Sequence, residues 1–228
     1  MPERSIDFNK PISLFPLGQC VLLPHTTVPL FVFEDRYRQM IHEALMDRQL
    51  IAMAVYADKD KQYKKGARPA LREYVCVGYI VKHDQTYDGR YHVFLQGICR
   101  AKIASEPLHE PYRVAYLQPI EIEKTLEIDM QEERYGLEKL LHDPKLMGLA
   151  SIGAINNWLS SEIPTDTLID QTTLMTCNDT EMRYQMLQEK DIYTRAEWLT
   201  KYLKQTRKVI EVAEQFGMPE SDDGYCLN

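Results

Sequence analysis

The chain is 228 residues long, 44% apolar and 27% charged, with 27 Lys plus Arg against 34 Asp plus Glu and a formal net charge of −7. That length and apolar share supply an ordinary buried core for one large domain or two small ones. The acidic balance is a poor match to nucleic acid, which is bound through clustered Lys and Arg, and no window approaches roughly eighteen uninterrupted apolar residues, so no membrane partner is expected.

The N-terminal "MPERSIDFNK" carries charges of both signs and no apolar signal region, which predicts a cytoplasmic protein. In the stretch from Phe15 to Tyr37, "FPLGQCVLLPHTTVPLFVFEDRY", Pro16, Pro24 and Pro29 exclude one continuous helix, because each lacks an N–H and biases its predecessor toward extended backbone. Short strands joined by bends remain. The period then changes: Phe33, Tyr37, Met40, Ile41, Ala44 and Leu45 recur at helical spacing, with Glu34 and Asp35 in a favourable first turn. Leu50 to Tyr56 is an apolar run of strand length, and the polar "ADKDKQYKKGARPALRE" after it reads as a long loop. "YVCVGYIVKH" from Tyr74 and "YHVFLQG" from Tyr91 are rich in β-branched and aromatic residues and flank the Asp88-Gly89 turn signal, which predicts a hairpin. "ICRAKIA" from Ile98 and "YRVAYLQPI" from Tyr112 are further strand candidates, so the first half is mostly β.

From Leu126 the pattern turns helical. Met130, Leu137, Leu140 and Leu141 form one face; after the Asp143-Pro144 break, Leu146, Leu149, Ile152 and Trp158 form another. Pro164 opens a helix carrying Leu168, Thr172 and Met175, and Asn178-x-x-Glu181 is a capping pair for the next. A last helix from about Thr194 carries Trp198, Leu199, Tyr202, Leu203, Val209, Ile210, Ala213 and Phe216 and stops at Gly217-Met218-Pro219. Charge changes with period: residues through Gln118 sum to +3, and those beyond to −10.

Chemistry-bearing motifs are scarce. None of the ten glycines precedes a lysine, and G-x-G-x-x-G, G-x-S-x-G and H-E-x-x-H are all absent, which excludes the common nucleotide, nucleophile-elbow and zincin signatures. Ser151 lies in an apolar helical pattern, where a small residue serves packing. His83 and His92 flank the hairpin turn near Asp84, but nothing local completes a tetrahedron, so no metal and no other cofactor is expected. Five cysteines, Cys20, Cys76, Cys99, Cys177 and Cys226, have no C-x-x-C pair and read as reduced, mostly buried thiols. The loop from Lys59 to Arg72 is the one basic run, with Tyr63 inside it. Lys61, Lys64 and Lys65 are its candidate nucleic-acid contacts, diluted by Asp58, Asp60 and Glu73.

The segment "ISLFPLGQCVLLPHTTVPLFVFEDRYRQMI" resembles the opening of the Lon substrate-binding domain family at Pro16, Leu17, Val21, Pro24, Pro29, Leu30, Phe33, Glu34, Arg36, Tyr37 and Met40. A second family motif, a turn with Asp-Gly, a strand, a Gly and an Arg, is matched by Asp88, Gly89, Gly97 and Arg100 in "YDGRYHVFLQGICRAKI". The one departure is His25, where many isolated copies carry Gly. The resemblance implies an α+β fold: a PUA-like pseudo-barrel of strands with one or two helices over residues 1–120, then a helical bundle ending in a long helix over residues 121–228. It also implies recognition of unfolded or tagged proteins, a task that in full-length Lon precedes an ATPase and a Ser-Lys protease domain.

The reading is therefore a non-catalytic protein- or peptide-binding module, its partners protein or unfolded segments and a separate ATPase or protease. RNA binding through the 59–72 loop is the alternative. The proline-punctuated segment becomes mostly core, with Tyr37 and Ile41 inward and Glu34 outward. The candidate partner surface is Pro24, Leu30, Glu34, Asp35 and Arg36 at the helix start, then Tyr87 at the hairpin tip.

Overall fold

The computed structural model describes residues 6–57, 68–122, 125–149, 152, 155 and 163–216. Six strands and the first helix run in the order β1 (Ile12–Leu17), β2 (Thr27–Val32), α1 (Asp35–Met46), β3 (Leu50–Val55), β4 (Tyr74–Gln85), β5 (Tyr91–Ser105) and β6 (Arg113–Pro119). After a 3-10 turn at Glu127–Met130 come α2 (Gln131–Leu141), α3 (Pro144–Met147), α4 (Thr165–Thr176), α5 (Thr180–Gln188) and α6 (Ile192–Gln215). They form two compact units: the described residues of Met1–Glu121 with Asp179–Gln188, and those of Ile122–Asn178 with Glu189–Asn228.

In the first unit the strand order is β2-β5-β4-β3-β1-β6, and an additional β5–β6 pairing closes β5, β4, β3, β1 and β6 into a ring. Length makes this possible: the first half of β5 pairs with β2, and Ala101 to Ser105 pair with β6. The ring is narrow, and its interior is filled by small and branched side chains, among them Ala52, Ala54, Ala101, Ala115, Val75, Val77, Ile12 and Leu14. On β3 the alternate residues Ile51, Met53 and Val55 are buried too. They face α1, whose Tyr37, Met40, Ile41 and Ala44 recur on one face and are all buried. Phe15 of β1 meets Tyr37 edge-on at 4.7 Å between ring centroids.

The family motifs have local physical reasons. His25, at φ 62°, turns the bend back so that its N–H donates to Gly97 O (3.0 Å), and Gly97 N–H donates to Thr26 O (2.8 Å). A Cβ on Gly97 would lie 2.1 Å from Leu23 O, so only glycine lets the bend seat on β5. Gly89, at φ 80°, closes the hairpin tip, and its carbonyl accepts from Arg38 Nε of α1 (2.8 Å). Buried Arg100 donates to Met186 O of α5 (3.4 Å).

That last contact marks a difference from the expected division at residue 120. Asp179–Gln188 belongs to the first unit, not to the helical half. Arg72 forms a two-pronged ion pair with Glu181 (2.7 and 2.8 Å) and stacks 3.5 Å over the Tyr184 ring, whose hydroxyl accepts from Tyr74 N–H (2.8 Å). The cap of α5 is Asp179, accepting from Glu181 N–H at 2.9 Å, one residue after the expected Asn178.

In the second unit α6 contacts α2, α3 and α4. It starts at Ile192, two residues before the expected Thr194, because Asp191 caps it through Tyr193 and Thr194 N–H. Glu127 caps α4 by accepting from the Thr165 N–H (2.9 Å) and hydroxyl (2.7 Å). Arg195 and Asp170 make a fully buried ion pair at 3.1 Å. Ser151, Trp158, Cys226 and the Gly217-Met218-Pro219 stop lie outside the described residues.

Candidate functional site

Strand β2 is an edge, paired only with β5 among the described residues. Its alternation is apolar in both phases: Val28, Leu30 and Val32 are buried, while Thr27, Pro29 and Phe31 are exposed. The register sets Pro29 opposite Phe94 and Phe31 opposite His92 on β5, and Lys82 and Asp84 of β4 opposite Phe94 and His92. These side chains share one open face of the sheet. Phe31 is 46% exposed, Phe33 58% and Phe94 40%. Phe31 packs on Phe33 (6.1 Å between centroids) and on His92 (4.8 Å), and Lys82 Nζ lies 5.8 Å over the Phe94 ring.

Along β5 the same face continues through Gln96 to Ile98, and across to Tyr79 of β4 and Leu50 of β3. There it sinks into a cleft of about 410 Å³ lined by Ile6, Asp47, Arg48, Gln49, Leu50, Tyr79 and Ile98. A β-bulge where Gly78 pairs with Gly97 and Val77 with Cys99 leaves Ile98 unpaired and exposed at the cleft wall. The charged groups of the rim are neutralised: Arg48 donates to Asp47 (3.1 Å) and to the Asp7 and Pro11 carbonyls (3.1 and 2.9 Å). Gln49, at φ 60°, accepts from the Tyr79 hydroxyl.

What this face can do follows from its chemistry. Neighbouring exposed aromatics on a sheet make a surface able to contact the apolar groups of a partner. The strand edge is less suited to partners. Gly97 N–H bonds to Thr26 O, and counting on by twos turns the backbone groups of Thr27, Pro29 and Phe31 toward the open edge. Pro29 has no N–H to offer there, which blunts strand addition.

Neither Cys20 nor Cys99 is activated. Burial pushes Cys99 up to about 11 and also raises Cys20, well away from a thiolate at neutral pH. His83 pairs with Val93 and His92 with Asp84, so the two histidines point to opposite faces. Among the described residues no group of three His, Cys, Asp or Glu could hold a metal ion, and no helix is long and apolar enough to cross a membrane.

Of the expected partner residues, Pro24 and Leu30 are corrected to core: Pro24 is buried in the bend, and Leu30 points inward beside Val93. Glu34 is the N-cap residue and half-buried, with its carboxylate taken by Arg36 (2.8 and 3.0 Å), so it does not project outward as expected. Asp35 is exposed and paired with Arg38 at 3.0 Å. Tyr87 is fully exposed at the hairpin tip, from which Arg90 reaches over the Phe31 ring at 5.9 Å. Lys61, Lys64 and Lys65 lie outside the described residues. The described arginines of that basic run are already engaged, Arg68 with Glu106 and Glu110 and Arg72 with Glu181.

Residues 11–205 match the family model of the ATP-dependent protease La (LON) substrate-binding domain. The chain belongs to the Lon substrate-binding domain family. Two solved structures share the fold. The N-terminal domain of Mycobacterium avium complex Lon protease has a TM-score of 0.66 at 14% identity, covering 86% of this chain and 98% of that one. A Lon N-terminal domain protein from Xanthomonas campestris has a TM-score of 0.59 at 21% identity, covering 85% and 98%. Among curated relatives, the Lon protease of Dictyoglomus thermophilum is 24% identical over 94% of this chain and 27% of its own length. That of Buchnera aphidicola is 22% identical over 99% and 29%. The chain thus spans about a quarter of the length of these relatives. These likenesses give no support to the nucleic-acid reading.

Within this Lon-family fold, Phe31, Phe94 and the Ile98–Tyr79 cleft are not among the residues expected at the partner surface, and Phe33, expected at helical spacing with Tyr37, lies ahead of α1 and is exposed. The available signal was "TVPLFVF", apolar in both phases; a strand of that kind has either two buried faces or one uncovered apolar face. Only the neighbouring strands tell which.

Proposed function

We propose that this chain is a non-catalytic recognition module that binds exposed apolar segments of protein substrates on the open face of β2, β5 and β4, without ATP, and serves an ATP-dependent protease in the cytoplasm. The observation that carries this reading is the cluster of Phe31, Phe33 and Phe94, contiguous and solvent-facing on a chain of a substrate-binding family. A soluble monomer seldom leaves such a patch uncovered without using it. The burial that raises the Cys20 and Cys99 thiols, and the missing nucleotide and nucleophile motifs, favour binding over catalysis.

The test is binding of a reduced, permanently unfolded protein such as carboxymethylated α-lactalbumin, followed by fluorescence anisotropy. Wild-type protein is expected to bind it and to ignore the folded form, with affinity that persists in high salt because apolar contact is not screened. Phe31→Asp together with Phe94→Asp should abolish binding while leaving the melting temperature within a few degrees. No binding by wild-type protein, or undiminished binding by the folded double variant, would overturn the reading.

A further inference from the structure

The cleft at the far end of the open face has features that the flat aromatic patch lacks. It is concave, of a volume typical of small-ligand sites. Its apolar walls are Ile6, Leu50, Tyr79 and Ile98, and its rim charges, Asp47 and Arg48, are committed to each other and to backbone carbonyls. A charged guest would gain no unpaired counter-charge there and would lose its hydration. An uncharged apolar group pays no such penalty. Gln49 and Ile98 hold the shape, the first in a left-handed conformation whose side chain accepts from Tyr79, the second thrown outward by the bulge.

The position is as informative as the chemistry. Phe94 and Ile98 lie on the same strand, with Gln96 between them on the same face. Four residues of strand span about 13 Å, and an extended peptide covers that distance in about four residues of its own.

We propose that the cleft receives one large uncharged apolar side chain of a polypeptide bound in extended form, so that this protein prefers substrate segments with two such residues about four positions apart, one resting on Phe94 and the other seated between Tyr79 and Ile98. This rests on the binding reading above and adds to it a spacing rule and a specificity site. Because Pro29 blunts the β2 edge, the segment is held by side chains across the face, and spacing of side chains, rather than backbone pairing, selects it.

The test uses a set of fluorescent twelve-residue peptides of Ser, Thr and Gly with two phenylalanines separated by one to seven positions. Affinity is expected to peak at a separation of about four. Replacing the second phenylalanine by Glu, or Ile98→Asp in the protein, should each weaken the best peptide roughly tenfold to a hundredfold, the value of burying one large apolar side chain. A best-spaced peptide with benzoylphenylalanine at the second position should cross-link wild-type protein at the Tyr79 or Ile98 segment, a readout independent of whether the variant folds. Binding of unfolded protein with no spacing preference, or cross-links only elsewhere, would overturn the spacing proposal and leave the binding reading standing. Failure to bind either the peptides or the unfolded protein would overturn both.

Discussion

Strands β1 and β2 are written in nearly the same alphabet, "ISLFPL" and "TVPLFV", six residues each with one proline and one phenylalanine. Yet Phe15 is 5% exposed and Phe31 46%. The difference lies in what surrounds each strand. β1 is flanked by β3 and β6, lines the ring interior with Ile12 and Leu14, and is covered by α1 on its other side. Among the described residues β2 pairs with one strand, and its outward phase, Thr27, Pro29 and Phe31, is exposed. An apolar phase that is covered contributes to stability, whereas the same phase left uncovered contributes little to it. The prolines repeat the lesson. Pro16 stands opposite Ala54 of β3, beyond the last β1–β6 pair at Leu14, whereas Pro29 sits on an outer edge, where a missing N–H leaves no ladder bond broken.

The sharpest way to break this comparison is to truncate both rings. Phe15→Ala should lower unfolding free energy by about 3–5 kcal/mol, whereas Phe31→Ala should stay within about 0.5 kcal/mol and weaken binding of unfolded protein instead. Chemical denaturation of both variants checks this, and equal losses would erase the distinction between the two strands. Next in size is Ile41→Ala, on the helix that covers β1, for which about 2–5 kcal/mol is expected; a melting shift near zero would mean that α1 does not seal that side.

At the helix start beside the open face, Glu34→Arg combined with Arg36→Glu preserves an ion pair of reversed polarity. It should change stability by no more than about 1 kcal/mol and reduce substrate capture less than loss of Phe31 does. Capture lost entirely would shift the site from the aromatic face to this charged edge. The smallest effect concerns a polar tie on the covered side. The hydrogen bonds from Tyr112 and Gln39 hold the Glu43 carboxyl of α1 below the usual carboxylate range. A depressed carboxyl contributes stability above its unfolded value, near pH 4.3, and loses that contribution as pH falls through the folded value. Tyr112→Phe should therefore destabilise slightly at pH 7 and less at pH 3, as thermal melts at the two pH values would show.

The covered side of this protein is legible in its sequence. Periodicity gave α1 with Tyr37 and Ile41 inward, the Asp88-Gly89 turn gave the β4–β5 hairpin, and the change to helical spacing at Leu126 gave α2 with Leu137, Leu140 and Leu141 on its buried face. Pro24 and Leu30, expected at the partner surface, are buried instead, because the bend seats on the bare backbone of Gly97 and Leu30 takes the inward phase of β2.

Local sequence by itself determined which segments are strands and helices, since period, proline placement and turn chemistry act within a few residues. Tertiary structure alone decided which of two equivalent apolar phases remained in water. It also returned α5 to the strands through Arg72 and Arg100, and set a β-bulge at Ile98 beside Tyr79 to make a cleft. Those outcomes depend on partners 86 to 109 residues away in the chain or on strand order, quantities that no local pattern encodes.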